Sequence, residues 1–211
     1  MQPTLIETHP LSIRHLGLTE YENTWHNMQE YTTRRNVNSP DEIWITEHNP
    51  VYTMGLNRKN VGQPLRNDIP LVLTDRGGKI TYHGPGQLII YLLLDLKRNN
   101  LNIRKLVSLL ENAVIDFLAD NGKHAYAKID APGVYVDEAK IASLGLRIKN
   151  NYCYHGLSLN INMDLTPFES IDPCGYTNLN ITQTKDIGIK ANLESISESL
   201  LKKLKKNLAD G

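Results

Sequence analysis

The sequence predicts a mixed α/β (α+β) fold in which a mixed β-sheet is flanked by helices, and three observations carry that expectation. Residues 87–96, QLIIYLLLDL, are apolar on both faces, as a strand in the middle of a covered sheet must be. Three stretches, at 21–31, 103–117 and 193–208, repeat apolar residues at helical spacing. Between the second and third of these, several short β-branched or alternating runs return, so strands and helices are interleaved along the chain.

In order, residues 11–16 read as a short strand. Thr19 with Glu22 three residues later matches a capping box, and Tyr21, Trp25, Met28 and Tyr31 then share one face of a first helix. Residues 42–47, EIWITE, alternate and are β-branched, and 71–74, LVLT, form a short apolar run. After the central strand, Asn102 can cap a second helix carrying Ile103, Leu106, Leu110, Val114 and Phe117 on one face, with Asn121 and Gly122 as its stop. Residues 133–136 and 140–148 pair as strands across the polar link 137–139. Residues 155–162, HGLSLNIN, alternate with period two, placing Leu157, Leu159 and Ile161 toward the core. Prolines at 167 and 173 mark 163–175 as a loop. Leu193, Ile196, Leu200, Leu204 and Leu208 form the stripe of a last helix whose terminal lysines suit its negative end and a solvated face.

Composition narrows the function classes. With 211 residues and neither repeats nor a Gly/Ser/Pro-rich linker, the chain reads as one domain, 1–211, large enough to need no staples. Twenty-three basic residues balance twenty-three acidic ones, which argues against a binder of nucleic acid or another polyanion. Two cysteines cannot build a disulfide framework, and the longest apolar run, 88–94, is far short of the roughly 20 residues of a membrane helix. No signal-peptide core opens the sequence, so a soluble cytoplasmic protein away from the membrane is expected.

Three segments carry chemistry. RGGKITYHGPGQ at 76–87 holds four glycines beside Arg76, Tyr82 and His83; glycine lets a backbone turn sharply and approach a ligand closely, yet the spacing matches neither a P-loop nor a dinucleotide fingerprint. In PGVYVDEAKIASLGLRI at 132–148, Lys140 stands among small and apolar residues on a strand. Facing outward it is an ordinary surface lysine; facing inward it is a poised base or a fixed cation beside an acidic partner. Ser143, Leu144 and Gly145 follow, small enough for close approach of a substrate. The third segment joins His155, Gly156, Leu157 and Ser158 to Asp172, Pro173, Cys174 and Gly175. Cys174, in a loop and followed by glycine, suits an accessible thiol, whereas Cys153 at a strand start suits packing. Cys153, His155 and Cys174 do not make a zinc set, since no C-x-x-C pair or fourth close ligand accompanies them.

Together these segments, RGGKITYHGPGQL at 76–88, PGVYVDEAKIASLGLRI at 132–148 and HGLSLNINMDLTPFESIDPCGY at 155–176, resemble the octanoyltransferase (lipoyl(octanoyl) transferase) family of lipoate biosynthesis. The resemblance runs in outline from about residue 40 to 185 and implies the catalytic domain shared by biotin and lipoate protein ligases. It implies an acyltransferase that moves octanoyl from octanoyl-acyl carrier protein to a lysine ε-amine on lipoyl domains of 2-oxoacid dehydrogenase complexes and the glycine cleavage H protein, with no cofactor or metal. The family's nucleophile falls on Cys174 and its partner lysine on Lys140. Its acyl contacts fall on Arg76, Gly77, Gly78, Lys79, Ile80, Thr81, Tyr82, His83, Ser143, Leu144, Gly145, Gly156, Leu157 and Ser158, with His155 or His83 as a possible assistant. Ser158 stands where alanine is common in the family. An ATP-dependent lipoate or biotin protein ligase and a lipoyl-domain amidotransferase are the alternatives on the same fold.

Overall fold

The computed structural model describes residues 11–171 and 179–210. A seven-stranded sheet runs in the order β1 (Leu11–Thr19), β2 (Asp41–His48), β6 (Gln87–Asp95), β10 (Tyr152–Asn160), β9 (Ala139–Lys149), β8 (Gly133–Val136) and β7 (Tyr126–Ala127). Its β1–β2 pair is parallel and the other pairs are antiparallel, so the sheet is mixed. A second, three-stranded sheet has the order β4 (Leu71–Leu73), β3 (Val51–Met54), β5 (Ile80–His83).

The doubly apolar run becomes the middle of the large sheet for the expected reason. Leu88, Ile90, Leu92 and Leu94 of β6 enter the main core beneath helices α2 (Ile103–Asp120) and α3 (Leu193–Asp210). Ile89, Tyr91 and Leu93 point the other way, into a smaller cluster with Met28 of α1 (Tyr21–Arg34). Asn102 caps α2 as the sequence indicates, its side chain accepting from the Lys105 amide at 3.0 Å. Leu157, Leu159 and Ile161 lie in the main core, and Ile196, Leu200 and Leu204 bring α3 onto it.

Three expectations need correction. The capping box at Thr19 does not form: Thr19 still pairs with His48 as the last residue of β1, its hydroxyl lies 3.1 Å from His48 Nδ1, and Glu20 precedes the helix without a side-chain cap. The segment 76–87 is not loop throughout, because Ile80–His83 pairs with β3. The loop expected over 163–175 carries a 3-10 turn, Thr166–Ser170, whose Phe168 packs with Tyr52 and Tyr82 in the second sheet's core. Strand β3 escaped the sequence reading because four residues are too few to display a period.

Candidate active site

The face of the large sheet that meets α1 loses its side chains toward β9. Ser158 stands between Ile89 of β6 and Ser143 of β9, and Gly156 between Tyr91 and Gly145. Two adjacent strands thus present only serine and glycine where neighbouring strands present bulk. The result is a cavity of about 250 Å3, near the lower end of small-molecule sites. Of the residues assigned by resemblance, Arg76, Gly77, Gly78, Lys79, Ile80, Thr81, His83, Lys140, Ser143, Leu144, Gly145, His155, Gly156, Leu157 and Ser158 line it. Tyr82 does not. Strand alternation turns its ring into the second sheet's core, 5.6 Å from Tyr52 and edge-on to Phe168 at 5.5 Å. Pro132 and Leu146, inside the 132–148 motif but not assigned by it, join Tyr21, Ile89, Tyr91, Ile103 and Val107, which lie outside the three motifs, to complete the lining.

Lys140 faces this cavity because the strand is bulged. Ser143 pairs with Gly133 and Ala142 with Val134, but Tyr135 pairs with Lys140, so Ile141 is the extra residue. With strict alternation Lys140 would share Ala142's face and enter the apolar core. The bulge instead sends Ile141 into that core with Ala142 and puts Lys140 on the cavity side, only 2% exposed. A Cβ at residue 133 would clash with the Lys140 Cε and stand 3.1 Å from its Nζ, so glycine there makes the room for the lysine stem. The Lys140 Nζ lies 5.5 Å from the Tyr135 ring centre. Below it, the buried Glu111 accepts the Gly133 amide at 2.9 Å. Burial pushes the Glu111 carboxyl up, and the Gly133 bond and the Lys140 charge offset this only in part. The backbone of Lys140 is held as well, donating to Asn180 at 2.8 Å and accepting from Thr182 at 3.0 Å.

The glycine-rich loop lies over the small-residue floor. The Gly77 amide donates to Leu146 at 2.9 Å, and a Cβ on Gly145 would meet Arg76 Cδ at 3.0 Å and Gly77 O at 3.2 Å. Arg76 donates to the Thr53 carbonyl at 2.6 Å and hydroxyl at 2.8 Å. His83 has both ring nitrogens engaged, Nδ1 with Gln87 Oε1 at 2.7 Å and Nε2 with Thr53 Oγ1 at 3.3 Å. Burial, with the His48 and Arg76 charges, lowers His83 to about 3, so its ring stands neutral at pH 7.

The chain matches the lipoyl protein ligase A/B catalytic domain over residues 21–205. It is 54% identical over 200 residues to the octanoyltransferase of Chromobacterium violaceum, covering 95% of this chain and 97% of that one. It is 55% identical to the octanoyltransferase of Laribacter hongkongensis, covering 94% and 96%. The chain belongs to the octanoyltransferase family. Members of this family are acyltransferases, and the fold of this chain is found outside the family as well. Solved structures of a bi-partite lipoate protein ligase from Thermoplasma acidophilum (TM-score 0.75, 15% identity, 95% and 84% coverage) and of lipoate-protein ligase A bound with ATP (0.73, 14%, 95% and 85%) share it. So does the biotin protein ligase of Aquifex aeolicus in complex with biotin and ATP (0.59, 18%, 94% and 70%).

Within this family framework, one hub was invisible in the sequence. Asp75, just before the glycine-rich loop, accepts from Trp25 Nε1 at 2.8 Å and Gln29 Nε2 at 3.2 Å on α1, and from the Tyr154 hydroxyl on β10. It also meets His155 Nε2 at 3.1 Å. Burial alone would raise the Asp75 carboxyl, but the bonds from His155, Tyr154 and Trp25 outweigh it and hold the group well below the usual carboxylate range. His155 has φ of +64° in mid-strand, a left-handed conformation unusual for a side-chain-bearing residue. Its neighbour Gly156 could not carry a Cβ, which would overlap the Ile90 carbonyl. No spacing in the sequence announces Asp75, since its donors come from two distant elements.

The two cysteines separate. Cys153 is fully buried on β10 beside β6, its thiol directed at the Leu92 carbonyl at 3.4 Å and pushed by burial to about 12, which makes it an inert packing residue. Cys174 lies outside the described residues.

Proposed function

We propose that this chain transfers an octanoyl group from the thioester of octanoyl-acyl carrier protein to the ε-amine of a lysine on lipoyl domains, through a thioester on Cys174, as a single cytoplasmic catalytic domain. The observation that carries the reading is the inward turn of Lys140, at the edge of an apolar-lined cavity, in a chain whose octanoyltransferase relatives match it nearly end to end. The neighbouring Thermoplasma ligase was solved with its E2 lipoyl domain, which supports an acceptor of that kind. Support for pairing Cys174 with Lys140 comes from chain continuity: shortly after Cys174, the chain runs at Asn180–Thr182 along the backbone of Lys140.

In this mechanism Lys140 takes the Cys174 proton, and the resulting ammonium stabilises the thiolate. The thiolate attacks the octanoyl carbonyl; the carbon–sulfur bond to the carrier breaks, and Lys140 returns the proton to the departing thiol. The acceptor lysine then attacks the new thioester, Lys140 accepts the proton that the amine sheds, and the amide leaves as Cys174 regains its thiol. Thioester to amide is downhill, so ATP is not required. Backbone amides of the glycine-rich loop that lines the cavity are the proposed donors to the tetrahedral oxyanion.

The test is intact-protein mass after mixing with octanoyl carrier protein and no ATP, run beside Cys174→Ser. An octanoyl adduct on the wild type alone, discharged by an apo lipoyl domain, supports the reading. Labelling that requires ATP and free acid, and that survives Cys174→Ser, overturns it in favour of a ligase.

A further inference from the structure

We propose that the seven-stranded sheet measures the acyl chain: the carbonyl sits over β9 beside Lys140, the chain crosses β10 over Ser158 and Gly156, and its terminal methyl stops against Tyr91 and Ile89 of β6. The inference rests on the octanoyl reading above and adds the residues that fix chain length.

The register supplies the ruler. Ser143 and Gly145 on β9 face Ser158 and Gly156 on β10, which in turn face Ile89 and Tyr91 on β6. The low floor therefore ends one strand beyond β10. Strands lie about 4.8 Å apart, so the two steps from β9 to β6 span roughly 10 Å. Carbon–carbon bonds of about 1.5 Å advance an extended chain by roughly 1.25 Å each, so the seven bonds of an octanoyl group span roughly 9 Å. Two further carbons add roughly 2.5 Å and drive the chain into the wall.

The wall is rigid. Ile89 and Tyr91 are buried among Met28, Trp44 and Tyr154. His48 braces Tyr91, its Nε2 lying 2.6 Å from the Tyr91 hydroxyl and its Nδ1 3.2 Å from the Thr19 carbonyl. Ile103 of α2, 47% exposed, also lines the cavity. Along the proposed path from β9 to β6 the chain meets small residues first and the buried Tyr91 last.

The experiment compares kcat/KM for hexanoyl, octanoyl, decanoyl and dodecanoyl groups on acyl carrier protein, using wild type, Tyr91→Leu, Ile89→Val and Ile89→Ala. Expected is a decanoyl-to-octanoyl ratio raised about tenfold in Tyr91→Leu and Ile89→Ala, the factor that burial of two more methylenes supplies, with a smaller rise in Ile89→Val. Should Tyr91→Leu fail to fold, the two Ile89 variants decide, because each removes only methyl or methylene groups. A ratio within twofold of wild type in variants that still accept octanoyl overturns the inference alone. A wild type that accepts no acyl group from the carrier overturns the functional reading instead.

Discussion

The side-chain stem of Lys140 passes through the space that a Cβ on Gly133 would need. Gly133 also has φ of +142°, a region that residues with side chains avoid. Sequence separation hides this relationship, which the bulge at Ile141 creates by turning the lysine over the neighbouring strand. Gly133→Ala is therefore expected to displace Lys140 and to strain the backbone together. Turnover should fall about a hundredfold, as a shift of the order of an ångström in a reacting group does. The backbone conformation should cost about 1–3 kcal/mol. Steady-state kinetics and denaturant unfolding of the same variant check both.

Lys140→Ala tests the proton-transfer role directly. Without the ammonium the Cys174 thiolate loses its stabilising charge, so alkylation of that thiol should move to higher pH, and turnover should drop about 10²–10⁴-fold. Lys140→Arg should not restore turnover, because a guanidinium keeps its proton. Rates of iodoacetamide reaction across pH 6–10 are the measurement; an unchanged profile rules the role out.

Native-state thiol labelling should modify one cysteine only. Cys153 is buried with its thiol pushed to about 12, so at pH 8 it stays protonated and out of reach. Both cysteines of the sequence should label after unfolding in guanidinium. Mass counting before and after unfolding checks this, and it makes the alkylation of Cys174 readable without a cysteine-free background.

Asp75 joins α1 to β10 through donors from Trp25, Gln29, Tyr154 and His155. Asp75→Asn keeps the shape but turns a donor toward donors, and is expected to cost about 1–3 kcal/mol at pH 7. The folded carboxyl ionises well below its usual range, so its contribution is complete above the unfolded value of about 3.9 and is lost as pH falls below that value toward the folded one. The stability gap between wild type and Asp75→Asn should accordingly narrow between pH 5 and pH 2. Urea unfolding at several pH values provides the comparison.

Gly156→Ala should be among the most damaging single changes in the sheet. The new methyl overlaps the Ile90 carbonyl, and backbone in a central strand cannot retreat without breaking β6 pairing. A loss of about 4 kcal/mol or outright failure to fold is expected. Thermal unfolding of the purified variant, or its absence from the soluble fraction, is the readout.

The sequence by itself determined the elements whose pattern is local. The run 87–96 could only be a covered strand, the leucine stripe ending at Leu208 could only be a helix against a core, and Asn102 announced its cap. The segments around Arg76, Lys140 and Gly156 were also legible, because dense glycines and a lysine among small residues conflict with ordinary packing. What the tertiary structure decided was direction. Alternation read from the sequence would bury Lys140 with Ala142, and a single extra residue in pairing with β8 reverses that. Tyr82 lies inside the glycine-rich motif yet leaves the site, because its ring turns into the second sheet's core while its neighbours Thr81 and His83 line the cavity. Tyr91 and Ile89 read as core and close the cavity only once β10 sets Gly156 and Ser158 beside them. A side chain's face depends on register, and register is fixed by partners far along the chain, so a residue's type was readable where its orientation was not.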